Sequence, residues 1–268
     1  MFIALGILFF LFGTIIGSFL NVIILRMGTG RGLGGRSSCG SCRRTLSWYE
    51  LIPLASFFVQ AGRCRSCKVR LSWQYPAVEL LAGLLSVGVY LTFAHLLFLA
   101  PFLFFVWYVG MFALWSALLV IAVYDLRHTI IPDVLLVVAL AITIVLLTIQ
   151  YYPHIGAVAL YAISGILLAT PFALIFFFSR GKYIGFGDVK LTALIGLMLG
   201  LWGGVTAVML GIYIGAIVSI LLLVLKGKKY TLKTEIPFGP FLILGMALVF
   251  FSAGTTFDLT LLFMSLFK

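Results

Sequence analysis

Acidic residues are scarce in this chain: Asp and Glu together number 7 among 268 residues, and all charged residues make up 9%. Cysteine is also rare, with 4 residues, whereas hydrophobic residues make up 63%. This composition excludes a soluble catalytic domain and is typical of a helical protein that crosses a membrane several times. The net charge of +11 needs no nucleic-acid partner, because basic residues beside a membrane contact anionic lipid headgroups.

Long apolar runs separated by glycine, proline and charged residues predict an all-α polytopic membrane protein with about eight transmembrane helices. The first run has no basic residue ahead of it and is followed by Arg26, so we expect a retained helix rather than a signal peptide. The predicted spans are 2–25, 76–94, 101–124, 134–150, 155–178, 188–202, 204–225 and 239–266. We therefore divide the chain into a first transmembrane helix (1–25), a cytoplasmic loop (26–75) and a seven-helix membrane domain (76–268).

Basic residues predict the orientation of these spans. All of the 18 Lys and Arg residues except Lys190 and Lys268 lie in four segments that share one side of the membrane: 26–75, 125–133, 179–187 and 226–238. Because Lys and Arg concentrate in cytoplasmic loops, we expect this side to be the cytoplasm, with both termini outside.

All four cysteines lie in the first cytoplasmic segment, in the sequences CGSC and CRSC. Two C-x2-C pairs with 21 residues between them lie at the edge of the pattern expected of a closed, structural four-thiolate zinc site. The predicted ligands are Cys39, Cys42, Cys64 and Cys67. Two disulfides are the alternative, but the positive-inside rule places the loop in a reducing compartment. A metal would also stabilise a loop too small for a substantial core.

Aspartates occur beside span ends on the same predicted face. Asp125 ends the third span, where a carboxylate faces the negative end of the helix dipole, so it has no structural reason to be there. Asp188, in GFGDVK, begins the sixth span and could be a helix N-cap, but Gly185 and Gly187 permit the close approach of another chain, which a cap does not require. Asp133 follows a proline and is interpreted as the N-cap of the fourth span.

Convergence of Asp125 and Asp188 would form an aspartic protease pair, in which one ionised carboxylate activates water and the other, protonated, polarises a peptide carbonyl. Helix dipoles assign the ionised state to Asp188 and the protonated state to Asp125. His128 ranks lower as a base, since a lone histidine in a basic interfacial loop more often contacts headgroups. The alternative function is an ion- or proton-coupled transporter using Asp125 and Asp188. The carboxylates of such a transporter are expected at the membrane midplane, whereas Asp125 and Asp188 are predicted at one face.

Five ordered motifs resemble those of bacterial type IV prepilin peptidases, which are membrane aspartyl proteases of the GxGD class. They are GSFLNVIILR (17–26), the two cysteine pairs, LSWQYPAVELLAG (71–83), YDLRHTIIPD (124–133) and GFGDVKL (185–191). The resemblance implies cleavage of the basic leader of type IV prepilins or pseudopilins at the cytoplasmic face, with Asp125 and Asp188 as the catalytic residues.

The same resemblance implies a second activity, N-methylation of the new N-terminus with S-adenosylmethionine, in an enzyme that carries the complete cysteine set. No glycine-rich nucleotide-binding fingerprint supports this activity independently, and the residues that bind the methyl donor are not indicated by the sequence. Glu79 lies in a family motif in the first turn of the second span, where a dipole partner is the simplest interpretation and contact with the methyl donor the alternative.

Overall fold

The structure, a computed structural model, describes residues 2–30, 32–152, 154–225 and 236–266, without side chains beyond residue 252. This part of the chain is almost entirely helical, as predicted, and its only β-type pairings are two isolated bridges. The helices are α1 (Phe2–Arg26), α2 (Ala55–Val59), α3 (Gln74–Phe93), α4 (Leu96–Leu99), α5 (Pro101–His128), α6 (Asp133–Tyr151), α7 (Ile155–Ser179), α8 (Phe186–Leu225) and α9 (Gly239–Leu266). A 3₁₀ turn, Trp48–Leu51, precedes α2.

Six of the helices in the described ranges are long and apolar enough to cross a membrane: α1, α3, α5, α6, α7 and α8. The apolar part of α9 is described over Gly239–Ser252. A membrane protein with several spans is therefore confirmed, whereas the predicted number of eight is not. Of the predicted connection 226–238, residues 226–235 lie outside the described residues.

Helix α8 contains the boundary that the sequence placed between its sixth and seventh spans. Gly200 has φ 70° and ψ −177°, a conformation that interrupts the helix and is open only to glycine. A Cβ added to Gly204 would lie 3.2 Å from the Cα of Gly196, although residues eight apart in a straight helix are separated by about 12 Å. The chain thus doubles back at Gly200, three residues before the predicted turn at Gly203.

The structure separates into two compact units, Met1–Val120 and Ile121–Lys268. In the first unit, α1 packs closely on α3, because Gly13 and Gly17 leave room for the backbone at Glu79 and Gly83. These glycines form a small-residue face on α1, of the kind that allows close helix packing in membranes. The N-terminal part of α5 adds a cluster of aromatic rings, in which Tyr108 also hydrogen-bonds Ser86 at 2.7 Å.

In the second unit, glycines again set the distance between helices. Gly165 of α7 faces Gly196 of α8, and Gly245 of α9 lies against the backbone of Ala207. Such contacts favour close helix packing inside a bilayer, where apolar burial alone gives little driving force. The same unit contains the end of α5 and the starts of α8 and α9.

Candidate active site

Asp125 is a buried carboxylate in the last turn of α5. The sequence placed the end of this helix at residue 124, but α5 continues to His128, and the N–H of Thr129 donates to the carbonyl oxygen of Asp125 at 2.8 Å. The residue is 4% exposed. Its carboxylate receives a backbone hydrogen bond from Gly239, the first residue of α9. Asp125 thus lies near the negative end of the α5 dipole, as predicted.

Asp188 is the third residue of α8 and is partly exposed. Because the helix begins at Phe186, Asp188 is not an N-cap, and this interpretation of the residue is wrong. Its side chain turns back toward the backbone N–H of Gly185, an arrangement that side chains at the third helical position often adopt. The location in the first turn places its carboxylate at the positive end of the α8 dipole.

Ile131 lies between the elements that carry the two aspartates. It contacts the start of α8, which carries Asp188, and the start of α9, which contacts Asp125. A Cβ added to Gly187 would lie 2.8 Å from the Cβ of Ile131, and one added to Gly239 would lie 3.2 Å from its Cδ1. The same added Cβ on Gly239 would lie 2.7 Å from Oδ2 of Asp125. The two carboxylates are close enough for their negative charges to repel each other.

Two other candidate groups have different surroundings. Asp133 is the first residue of α6, preceded by Pro132 in the N-cap position, so its predicted N-cap role is wrong. Its exposed carboxylate instead pairs with Nζ of Lys190 at 2.7 Å. His128 is exposed, and its ring packs on that of Tyr124 with centroids 4.4 Å apart. Neither residue has the burial of Asp125.

The four predicted metal ligands converge in the first unit. The Sγ atoms of Cys39, Cys42, Cys64 and Cys67 all lie within 4.8 Å of one another. Sγ of Cys39 and Sγ of Cys67 are 3.8 Å apart, close to the spacing of about 3.8 Å that four thiolates about 2.3 Å from a tetrahedral zinc would have. All four cysteines are free, so the alternative of two disulfides is not found.

Backbone N–H groups favour the ionised form of two of these thiols. The backbone N–H groups of Cys42 and Ser41 lower the pKa of Cys39 to about 6, and those of Cys67 and Ser66 likewise lower the pKa of Cys64. At Cys42 the backbone N–H of Arg44 favours the thiolate, but desolvation and the three neighbouring thiols outweigh it and raise the pKa to about 11. Four thiolates therefore need a positive charge between them, which is what a bound metal ion supplies.

The chain is similar to known protein families in two regions. The type IV leader peptidase family matches residues 111–220, and the bacterial peptidase A24 N-terminal domain matches residues 11–93. A prepilin leader peptidase/N-methyltransferase of Bacillus subtilis is 34% identical over 242 residues, 90% of this chain and 92% of that protein.

The chain belongs to the type IV leader peptidase family. A second relative with the same description, from Pseudomonas aeruginosa, is 30% identical over 262 residues, 87% of this chain and 85% of its own. No solved structure matches the chain at a significant level. The first family match covers Asp125 and Asp188, and the second covers all four cysteines. Family membership favours a peptidase over the transporter alternative.

Sequence reasoning missed Gly239 and Ile131 as parts of this site. Gly239 begins the last predicted span, in the sequence PFGP, and Ile131 lies in the predicted connection 125–133. A glycine in the first turn of a helix, where no unusual φ is required, is only a weak signal that another segment of the chain approaches closely. Its contact with Asp125 depends on tertiary packing that no local pattern shows.

Proposed function

We propose that this protein is a membrane aspartic endopeptidase that removes the basic leader of type IV prepilins or pseudopilins. The observation that carries the proposal is the convergence of Asp125 and Asp188, from α5 and α8, in a member of the type IV leader peptidase family. A pair of adjacent carboxylates that can hold one proton between them is the arrangement used by aspartic proteases.

Burial and helix dipoles assign different protonation states to the two carboxylates. Asp188 is partly exposed at the positive end of α8, so it is the ionised member and removes a proton from water. Asp125 is buried near the negative end of α5, so it is the protonated member and donates a hydrogen bond to the scissile carbonyl. Water attacks the carbonyl carbon, and the amide nitrogen then leaves with a proton from the pair.

The substrate is a pilin precursor whose apolar helix lies in the membrane. The basic residues of the chain support a cytoplasmic location for the connections that carry Asp125 and Asp188, with both termini outside. A leader rich in Lys and Arg would meet the acidic pair and the anionic headgroups at this face. The proposed location is the bacterial cytoplasmic membrane, and the proposed division remains 1–25, 26–75 and 76–268.

The cysteine loop is proposed to hold a structural zinc ion through Cys39, Cys42, Cys64 and Cys67. Four thiolates fill a tetrahedral site, so the ion would stabilise the loop and leave no open position for chemistry. The names of the curated relatives support a second activity, N-methylation of the new N-terminus with S-adenosylmethionine as donor. Zinc and the methyl donor are thus the two proposed cofactors.

The function can be tested with purified protein in detergent and a purified prepilin. We expect a single cut after the leader, detected by intact mass, and a further mass increase of one methyl group when S-adenosylmethionine is present. A prepilin variant without basic leader residues serves as the matched substrate control and should be cut more slowly. Absence of any cleavage by folded, metal-loaded protein would contradict the proposal.

A further inference from the structure

The cysteine loop carries exposed apolar side chains on and beside the short helix α2. Phe58 and Val59, the last two residues of α2, are 63% and 75% exposed, and Trp73, just before α3, is 70% exposed. The buried ring of Phe57 joins them, because its centroid lies 5.8 Å from that of Phe58 and 5.0 Å from that of Trp73. We call Phe58, Val59 and Trp73 the apolar patch. Contiguous exposed apolar side chains are typical of an interaction surface.

A hydrogen bond fixes the depth of α2 relative to a transmembrane helix. Oε2 of Glu79 accepts from the backbone N–H of Leu54, the residue before α2, at 2.7 Å. Glu79 is the sixth residue of α3, about 7.5 Å along the axis from its first residue at a rise of about 1.5 Å per residue. Helix α2 therefore starts beside the first two turns of α3, which is long and apolar enough to cross a membrane.

A second hydrogen bond places the start of α3 below the end of α1. Nδ2 of Asn21 donates to the carbonyl oxygen of Tyr75, the second residue of α3, at 3.1 Å. Asn21 lies five residues before Arg26, the last residue of α1, which is about 7.5 Å along that helix. The start of α3, with Trp73 before it, thus lies level with the apolar part of α1. The apolar patch is therefore at the depth of a membrane interface.

Basic side chains lie next to the apolar patch. The chain between α2 and α3 returns on itself, since the backbone N–H of Leu71 donates to the carbonyl oxygen of Gly62 at 2.8 Å. This short segment carries four exposed basic residues: Arg63, Arg65, Lys68 and Arg70. In the described part of the chain, none of the four forms an ion pair. Four positive charges without acidic partners, beside apolar side chains, are complementary to a surface that is both anionic and apolar.

We propose that the apolar patch and these four basic residues hold the cysteine loop on the anionic surface of the membrane that α1 and α3 cross. Phe58 and Val59 insert below the lipid headgroups, and Trp73 lies at the headgroup level, where tryptophan is enriched. The Lys and Arg side chains contact the headgroups. Because both ends of the loop continue into transmembrane helices, lipid is the surface nearest to the patch. This placement of the loop rests on neither leader cleavage nor methylation.

The test uses a tryptic peptide that reports on α2 alone. Trypsin cuts after Arg44 and Arg63, so the peptide 45–63 contains all of α2 and no part of the candidate spans. The full-length protein is reconstituted in vesicles of phosphatidylcholine and phosphatidylglycerol that include a phosphatidylcholine with a photoactivatable group in its acyl chain. After illumination we expect lipid adducts on this peptide, located by tandem mass spectrometry at Phe58 and Val59. Absence of adducts from it, in protein whose spans are labelled, would overturn the proposal.

The double variant Phe58→Ser/Val59→Ser tests the apolar patch. Both side chains are exposed, so we expect the fold to persist, and thermal unfolding in detergent checks this. The adduct yield on the peptide, relative to the labelled spans, should fall at least about fivefold, since two apolar side chains no longer leave water. Val69→Ser, which replaces an exposed apolar residue of the same loop outside α2, is the matched control and should keep the wild-type yield. An unchanged yield in the double variant would contradict insertion of α2.

The charge of the lipid tests the basic residues. In vesicles of phosphatidylcholine alone, the adduct yield of the wild type should fall at least about threefold, because the cations lose their anionic partners. Lys68→Gln/Arg70→Gln keeps both trypsin sites of the peptide and should lower the yield in the mixed vesicles. Equal yields with and without phosphatidylglycerol would refute the contribution of charge. Adducts that appear only when the protein is diluted in lipid would show that a second copy of the chain covers the patch, which would also overturn the proposal.

Discussion

Gly239→Ala is the perturbation that most directly probes how α9 positions the aspartate pair. The added Cβ would lie 2.7 Å from Oδ2 of Asp125 and 3.2 Å from Cδ1 of Ile131, whereas ordinary van der Waals contact begins at 3.4 Å. Asp125 or the start of α9 must therefore move by about 0.7 Å, the difference between 3.4 and 2.7 Å. The hydrogen bond from the backbone of Gly239 to Asp125 would be displaced with it.

The expected effect is much larger on catalysis than on stability. Overpacking of one methyl group costs about 1–3 kcal/mol in a rigid core. A displacement of the order of 1 Å in a reacting group can lower the rate about a hundredfold. We therefore predict that Gly239→Ala reduces kcat for prepilin cleavage by about 10- to 100-fold while the purified protein keeps its helical content and most of its thermal stability.

Gly156→Ala is the matched control, because an added Cβ there meets nothing within 4 Å. It should cut prepilin at the wild-type rate in the same cleavage assay. The double variant Gly239→Ala/Ile131→Val removes the contact with Cδ1 but leaves the contact with Asp125, so cleavage should stay low. Wild-type kcat in Gly239→Ala, or full recovery in the double variant, would refute this account of Asp125.

Three further predictions concern the cysteine loop and the helix packing. Cys64→Ser should abolish tight metal binding, measured by elemental analysis, because it removes a buried ligand from the cluster; one zinc per chain in this variant would contradict a four-thiolate site. The backbone N–H of Ser47 and then Arg44 lower the pKa of Glu50, so its stabilising charge is present above the usual glutamate pKa and is lost as the pH falls through the lowered value. Glu50→Gln should therefore lower the unfolding temperature at pH 7, and the difference from wild type should shrink toward acid pH; a constant difference would contradict this. Gly245→Ala would push α9 against the backbone of Ala207 and should cost about 1–3 kcal/mol or more in the free energy of unfolding, so an unchanged thermal unfolding curve would argue against this packing.

The sequence predicted the helices well because a bilayer imposes long apolar runs. The limits of α6 and α7 differ from the predicted spans 134–150 and 155–178 by one residue at most. The end of α5 was placed four residues too early, since Asp125, Arg127 and His128 interrupt the apolar run but not the helical hydrogen bonds. The helix ends only where Thr129 adopts φ 52°.

The chemistry at the site was predictable wherever a local pattern carries it. Two C-x2-C pairs specify four thiolates, and helix ends specify the opposite dipole environments of Asp125 and Asp188. The N-cap assigned to Asp133 was wrong because Pro132, with its fixed φ, takes the capping position and leaves the carboxylate free to pair with Lys190. The contact of Gly239 with Asp125 arises from packing between distant segments, which no local periodicity encodes.

The measurement that tests the central claim most directly is prepilin cleavage by Asp125→Asn, Asp188→Asn and Asp133→Asn, each purified and checked for folding and metal content. The account predicts that the first two lose at least about a hundredfold in rate, since each removes one half of the acid–base pair. Asp133→Asn, which removes an exposed ion pair, should cleave at nearly the wild-type rate. Substantial cleavage by either of the first two variants would contradict the aspartic protease assignment.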